Sequence, residues 1–145
     1  MKIVVQRVQQ SQVSVDDEVV GDIQNGLLLL VCFEQGDSDE TLTKAVDKVL
    51  KLRIFDDENG KMNLDVVQVK GQILSVSQFT LSWDGSGGHR PSFEKSMPPQ
   101  EARLKYALFN RELRNRGLNV QEGKFGAFMK VSLVNDGPVT FILQF

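Results

Sequence analysis

Between Asn25 and Glu34 the chain carries eight uncharged residues in a row, Gly26-Leu27-Leu28-Leu29-Leu30-Val31-Cys32-Phe33. A helix lying on a surface needs polar residues at a period of 3.6, and a strand wetted on one side needs them at a period of 2; this run has neither. It is also far too short to cross a bilayer as a helix. The remaining solution is a central strand buried on both faces, so the chain must cover a sheet from two sides. Asn25-Gly26 marks the turn that leads into it.

The flanking segments supply that cover. Residues 2–9 are rich in β-branched side chains, and Val13, Val15, Val19 and Ile23 continue the pattern around a polar Asp16-Asp17-Glu18 turn, which predicts a strand and hairpin. Asp37, with Glu40 three residues on, is placed to cap a helix over about residues 38 to 52, whose apolar stripe is Leu42, Ala45, Val46, Val49 and Leu50. Asp56-Asp57-Glu58-Asn59-Gly60 is a turn by composition, and 73–79 is a strand with small polar residues near its end. Trp83 to Met97 is a glycine-containing loop. Pro98-Pro99 opens a second helix with the stripe Ala102, Tyr106, Phe109 and Leu113, and Gly117 stands where a glycine ends it. Val120 to Gln144 holds at least two more strands, interrupted by Asn135-Asp136-Gly137-Pro138. The class expected is α+β: a compact, barrel-like, mainly antiparallel sheet with two packed helices, in one domain over residues 1–145.

Several chemistries fall away. The single histidine, His89, has no cysteine near it, so a His/Cys zinc site cannot be assembled and no metal is expected. Phosphate-loop, dinucleotide and Gly-x-Ser-x-Gly motifs are missing, and Gly85-Ser86-Gly87-Gly88 lacks the lysine of a phosphate loop, so no cofactor is expected either. His89 is a general-base candidate or a surface residue. Cys32 sits inside the apolar run, where a buried structural thiol is expected rather than a nucleophile. A net charge of −2 argues against a protein that coats nucleic acid, so any RNA contact is local and no DNA partner is expected. No membrane segment or export signal is seen, which places the chain in the cytoplasm by expectation.

Six uncommon strings occur in one order: Val5-Gln6-Arg7-Val8; Leu52-Arg53-Ile54-Phe55 with Lys61-Met62-Asn63; Ser77-Gln78-Phe79-Thr80-Leu81; Arg90-Pro91-Ser92-Phe93; Phe125-Gly126-Ala127-Phe128-Met129; and Asn135-Asp136-Gly137-Pro138-Val139-Thr140. Together they closely resemble the bacterial D-aminoacyl-tRNA deacylases, over essentially the whole chain. Two departures stand out: Trp83 to His89 has no lysine where the family carries one, and Asp65 replaces a commoner serine.

The resemblance implies a homodimer that binds aminoacylated tRNA and hydrolyses the ester joining a D-amino acid, or glycine, to the terminal ribose, while rejecting L-aminoacyl-tRNA. It assigns Ser77, Gln78, Phe79 and Thr80 to the catalytic site. It assigns Gly137 and Pro138 to chiral selection, through a cis bond that reaches into the partner's site, and Arg7 and Met129 to supporting places. Thr80 is either a nucleophile or a positioning group, since no lysine, histidine or amino terminus stands beside it in sequence to activate it. Gln78 is either a loop support or a structural amide, and Arg7 either holds the Gly137-Pro138 loop or lies on the surface. Arg103, Arg111 and Arg114 share one helix face that would suit phosphates or simply face water. Two rival readings are a non-catalytic RNA-binding dimer and an esterase or deaminase acting on a small soluble substrate.

Overall fold

A computed structural model describes residues 1–145. Strand β1 (Lys2–Val15) is the spine, pairing antiparallel with β2 (Glu18–Ile23), β3 (Gly26–Cys32) and β8 (Lys130–Gln144). It meets β3 along its first half and β2 along its second, while β8 runs along its other edge. The β1–β2 link is a tight turn through Asp16 and Asp17, both at positive φ, the geometry that matches the twist of a two-residue hairpin. Beyond β3 the pairing turns parallel: β6 (Gln72–Ser77) lies beside β3, and β7 (Val120–Glu122) beside β6. The sheet is therefore mixed, with antiparallel pairings in the majority. β2 also packs against β6 and β7, which curls the sheet toward closure. A small hairpin of β4 (Phe55–Asp56) and β5 (Met62–Leu64) stands apart.

Parallel neighbours need crossover connections, and the two helices supply them. α1 (Asp39–Leu50) joins β3 toward β6, and α2 (Pro99–Asn115) joins β6 to β7. Their stripes bury Leu42, Val46, Tyr106, Phe109 and Leu113 against Ile3, Val5, Leu27, Leu29 and Val31 in one cluster. The opposite sheet face closes on a second cluster built from Val8, Val13, Ile23, Leu28, Leu74 and Val76. Alternate residues of β3 thus enter different cores, as its unbroken apolar run requires.

Three local expectations are corrected. Ser38, not Asp37, caps α1, accepting from the Thr41 amide, while Asp37 accepts from the Glu34 amide at 2.7 Å. The strand expected over 73–79 ends at Ser77, because Phe79–Ser82 forms a 3-10 turn. Asn135–Pro138 does not end a strand: β8 continues through it as a bulge, where its pairing with β1 slips between Gln6 and Val8. A bulge leaves backbone groups unpaired and so admits proline.

Gly26 sets the parallel pairing. A Cβ there would lie 1.9 Å from the Gln72 carbonyl oxygen, a contact only glycine avoids. Gly26→Ala is therefore expected to lower unfolding free energy by roughly 1–3 kcal/mol, the range for overpacking that forces backbone to move. Urea denaturation checks this, and a midpoint equal to the parent's would contradict it.

Candidate active site

Where β6 ends, the Gln78 amide donates to Val31 O at 2.8 Å and turns the chain into Phe79–Ser82. The Leu81 amide closes the turn on Gln78 O at 3.2 Å. The amides of Phe79 and Thr80 open it and bond to no other backbone group, as the first donors of any helical turn must. The Gln78 side-chain amide donates to Thr80 Oγ1 at 2.6 Å. An amide nitrogen has no proton-accepting lone pair, so this contact orients the hydroxyl and leaves its own proton free to be donated elsewhere.

Beside the turn opens a cavity of about 410 Å3 lined by Val31, Cys32, Phe33, Ser77, Gln78, Phe79, Phe93, Met97, Pro98, Ala102 and Phe125, among others. Phe79 meets Phe93 edge to face, centroids 5.0 Å apart. The only titratable group in this lining is the Cys32 thiol. Burial first, and the carboxylate of Glu34 second, push it from 9.0 up to about 11, so it is neutral and carries no nucleophilic thiolate at ordinary pH. The wall consists of flat apolar surfaces with a few amides and hydroxyls.

The second feature lies on the β8 bulge. The Gly137–Pro138 peptide is cis, and both residues are exposed. Arg7, only 6% exposed, donates from Nε to Asp136 O at 3.0 Å and from an Nη atom to Ile54 O at 2.7 Å. It also pairs with the carboxylates of Asp136 and Asp56. The Asn135 side-chain amide ties Arg7 O to Val139 O across the base of the bulge. The bulge is thus stapled from below with its tip in solvent.

The sequence pattern of the D-Tyr-tRNA(Tyr) deacylase family matches residues 4–144. The chain belongs to this family. It is 54% identical to the D-aminoacyl-tRNA deacylase of Lactobacillus delbrueckii subsp. bulgaricus over 99% of both chains. It is 50% identical to that of Bacillus cytotoxicus, again over 99% of each. The solved structure of the c-Myc DNA Unwinding Element Binding Protein superposes with a TM-score of 0.94 at 40% identity, covering 99% of this chain and 98% of the other. A probable eukaryotic D-amino acid tRNA deacylase shares the fold, with a TM-score of 0.86 at 18% identity, covering 98% of this chain and 97% of that one.

In this deacylase family member, Ser77, Gln78 and Phe79 line the cavity, and Thr80 stands beside it, bonded to Gln78. Gly137 and Pro138 are not in the cavity wall of their own chain. Arg7 is no surface arginine; it anchors the Gly137–Pro138 bulge. Met129 packs on the second core cluster and against Gly123 and does not line the cavity. His89 is exposed and is not part of the wall. Arg114 is committed to Glu122 and Val120 O, so of the three arginines expected on one face only Arg103 and Arg111 remain exposed without such bonds. Sequence reasoning named no role for Phe93 and Phe125, although both stood in matched strings.

Because its titration is raised, the contribution of the neutral Cys32 thiol to stability is complete below pH 9 and is lost as pH climbs through about 11. Native protein is expected to resist iodoacetamide at pH 8, whereas urea-unfolded protein alkylates readily. The urea midpoint is expected to fall between pH 9 and 11 more steeply in the parent than in Cys32→Val. Equal alkylation of native and unfolded chains would contradict the burial argument.

Proposed function

We propose that this chain, as a single domain, hydrolyses the ester of D-aminoacyl-tRNA, and of glycyl-tRNA, releasing free amino acid and tRNA while sparing L-aminoacyl-tRNA. The observation that carries the mechanism is the pairing of an uncharged aromatic cavity with a turn whose amides and threonine hydroxyl have donors to spare. The flat cavity suits the terminal adenine of tRNA, which stacks on aromatic faces whatever sequence precedes it. The ribose and its ester then lie at the rim, beside Phe79 and Thr80.

An aminoacyl ester is activated, so a positioned water and a stabilised oxyanion suffice. The Phe79 and Thr80 amides and the Thr80 hydroxyl donate to the ester carbonyl as water adds to its carbon. The bond to the ribose oxygen then breaks, and that oxygen takes up a proton. The wall offers no carboxylate or imidazole as base, so the neighbouring ribose hydroxyl of the substrate assists the water. Thr80 acts as a positioning donor, because Gln78 orients its hydroxyl without being able to deprotonate it.

Chiral selection belongs to the Gly137–Pro138 bulge of a second copy. Its tip is exposed and anchored, with backbone carbonyls available to the substrate's α-ammonium. A hydrogen on the α-carbon passes this backbone, while an L side chain collides with it. Because no side-chain pocket reads the amino acid, D-residues of many kinds fit. Homodimerisation is supported by apolar side chains left in water along β8 and just before it, including Ile142 at 69% exposure and Phe128 at 99%, a pattern that marks an interaction surface. No helix is long and apolar enough to cross a membrane. A cytoplasmic site of action follows from the tRNA substrate.

The test is release of labelled amino acid from D-tyrosyl-tRNA and L-tyrosyl-tRNA by purified protein. Loss of the D-ester alone is expected; equal persistence of both would leave an RNA-binding module in its place. Thr80→Ala is expected to slow D-ester hydrolysis by roughly a hundredfold, the effect of losing one oxyanion donor. A loss nearer a millionfold, with tRNA binding intact, would make Thr80 the nucleophile.

A further inference from the structure

Lys2 stands at the start of β1, yet its side chain is only 17% exposed. Its ammonium lies 3.1 Å from Leu81 O and 3.1 Å from Glu34 Oε1. A lysine near a strand end ordinarily extends its head into water, so an ammonium committed to a backbone carbonyl is an arrangement the fold maintains. The residue facing Lys2 across the sheet is Cys32. The Cys32 sulfur is 3.5 Å from Phe79 O, with Phe33 O also in range at 3.6 Å. One cross-strand pair thus reaches the carbonyls on both sides of Thr80.

We propose that Lys2 is a positioning residue for the hydrolysis: by donating to Leu81 O it fixes the turn so that Thr80 and the unbonded amides meet the ester carbonyl. The proposal rests on the reading of that turn as the reaction's platform. Glu34 holds the ammonium in place from the other side and also bridges to Ser96 on the loop that walls the cavity. A charged donor makes a stronger bond to a carbonyl than a neutral one, which suits a tether that must not swing during turnover. Cys32 backs the other carbonyl with a weaker donor.

The experiment compares the parent with Lys2→Met, Lys2→Arg and Cys32→Val as full chains. It measures single-turnover hydrolysis of D-tyrosyl-tRNA with enzyme in excess, together with KM and thermal midpoint. Lys2→Met keeps the stem and loses the donor, and it is expected to slow the single-turnover rate about tenfold, the scale of one hydrogen bond from a charged group. KM should stay within about twofold, and Lys2→Arg should recover most of the rate. Cys32→Val should show a smaller loss of the same kind. A parental rate in Lys2→Met, a loss confined to KM, or a Lys2→Arg as slow as Lys2→Met would overturn the tether. Should Lys2→Met fail to fold, Lys2→Leu against Lys2→Arg makes the same comparison. A parent chain that leaves D-tyrosyl-tRNA intact would instead overturn the deacylase reading of the turn, and the tether with it.

Discussion

The parallel contact between β3 and β6 is the constraint from which the site follows. Gly26 admits the Gln72 backbone at a distance no other residue allows, and from there the register runs Leu27 to Ile73 through Val31 to Ser77. Both strands are buried on two faces, so a slip of one residue would exchange the contents of two cores. With the register locked, the Gln78 amide arrives at Val31 O and the chain must turn there. The position of Phe79 and Thr80 is thus decided some fifty residues upstream, at a glycine at the opposite end of the strand pair and outside the cavity wall. The helices follow from the same constraint, since parallel neighbours oblige the chain to cross over and the crossovers fill the larger core.

Around that turn the chemistry is spare. No charged side chain lines the cavity, and its one titratable group is a thiol kept neutral by burial. What the fold supplies is orientation: a glutamine that aims a hydroxyl, two amides without partners, and carbonyls held from behind. That economy suits an activated ester, whose hydrolysis needs a placed water and a placed oxyanion more than a strong base.

Much of this was legible in the residues. The two-sided burial of β3, the stripes of both helices, the hairpin at Asp16-Asp17 and the special character of Asn135–Pro138 are local patterns, and local patterns survive in a one-dimensional reading. Strand partners do not. Periodicity records which face is buried, not which neighbour lies alongside, so the parallel β3–β6–β7 segment was hidden within a sheet expected to be mainly antiparallel. The same limit concealed Lys2 and Cys32, whose relation exists only through the β1–β3 register, and the cavity, whose aromatic walls, Phe33, Phe79, Phe93 and Phe125, come from separate stretches of the chain. Ser38 displaced Asp37 as cap because Asp37 closes a tighter loop on Glu34. Arg114 is tied to Glu122 on β7, a partner that only the folded chain brings within reach.

Within one chain the Thr80 turn and the Gly137–Pro138 bulge stand apart. The turn is held from Lys2 and the bulge from Arg7, about 17 Å away along β1 at 3.3 Å per residue. The central claim is that the reaction occurs only where the turn of one copy meets the bulge of another. The most direct measurement mixes two inactive variants, refolded together: Ser96→Trp, which fills the cavity, and a chain with Gly137→Ala and Pro138→Ala. In a two-fold dimer each mixed pair contains one intact turn facing one intact bulge, so the mixture is predicted to recover about a quarter of the parent's D-tyrosyl-tRNA hydrolysis. A mixture as inactive as its components would contradict the claim, as would full activity in the bulge variant alone.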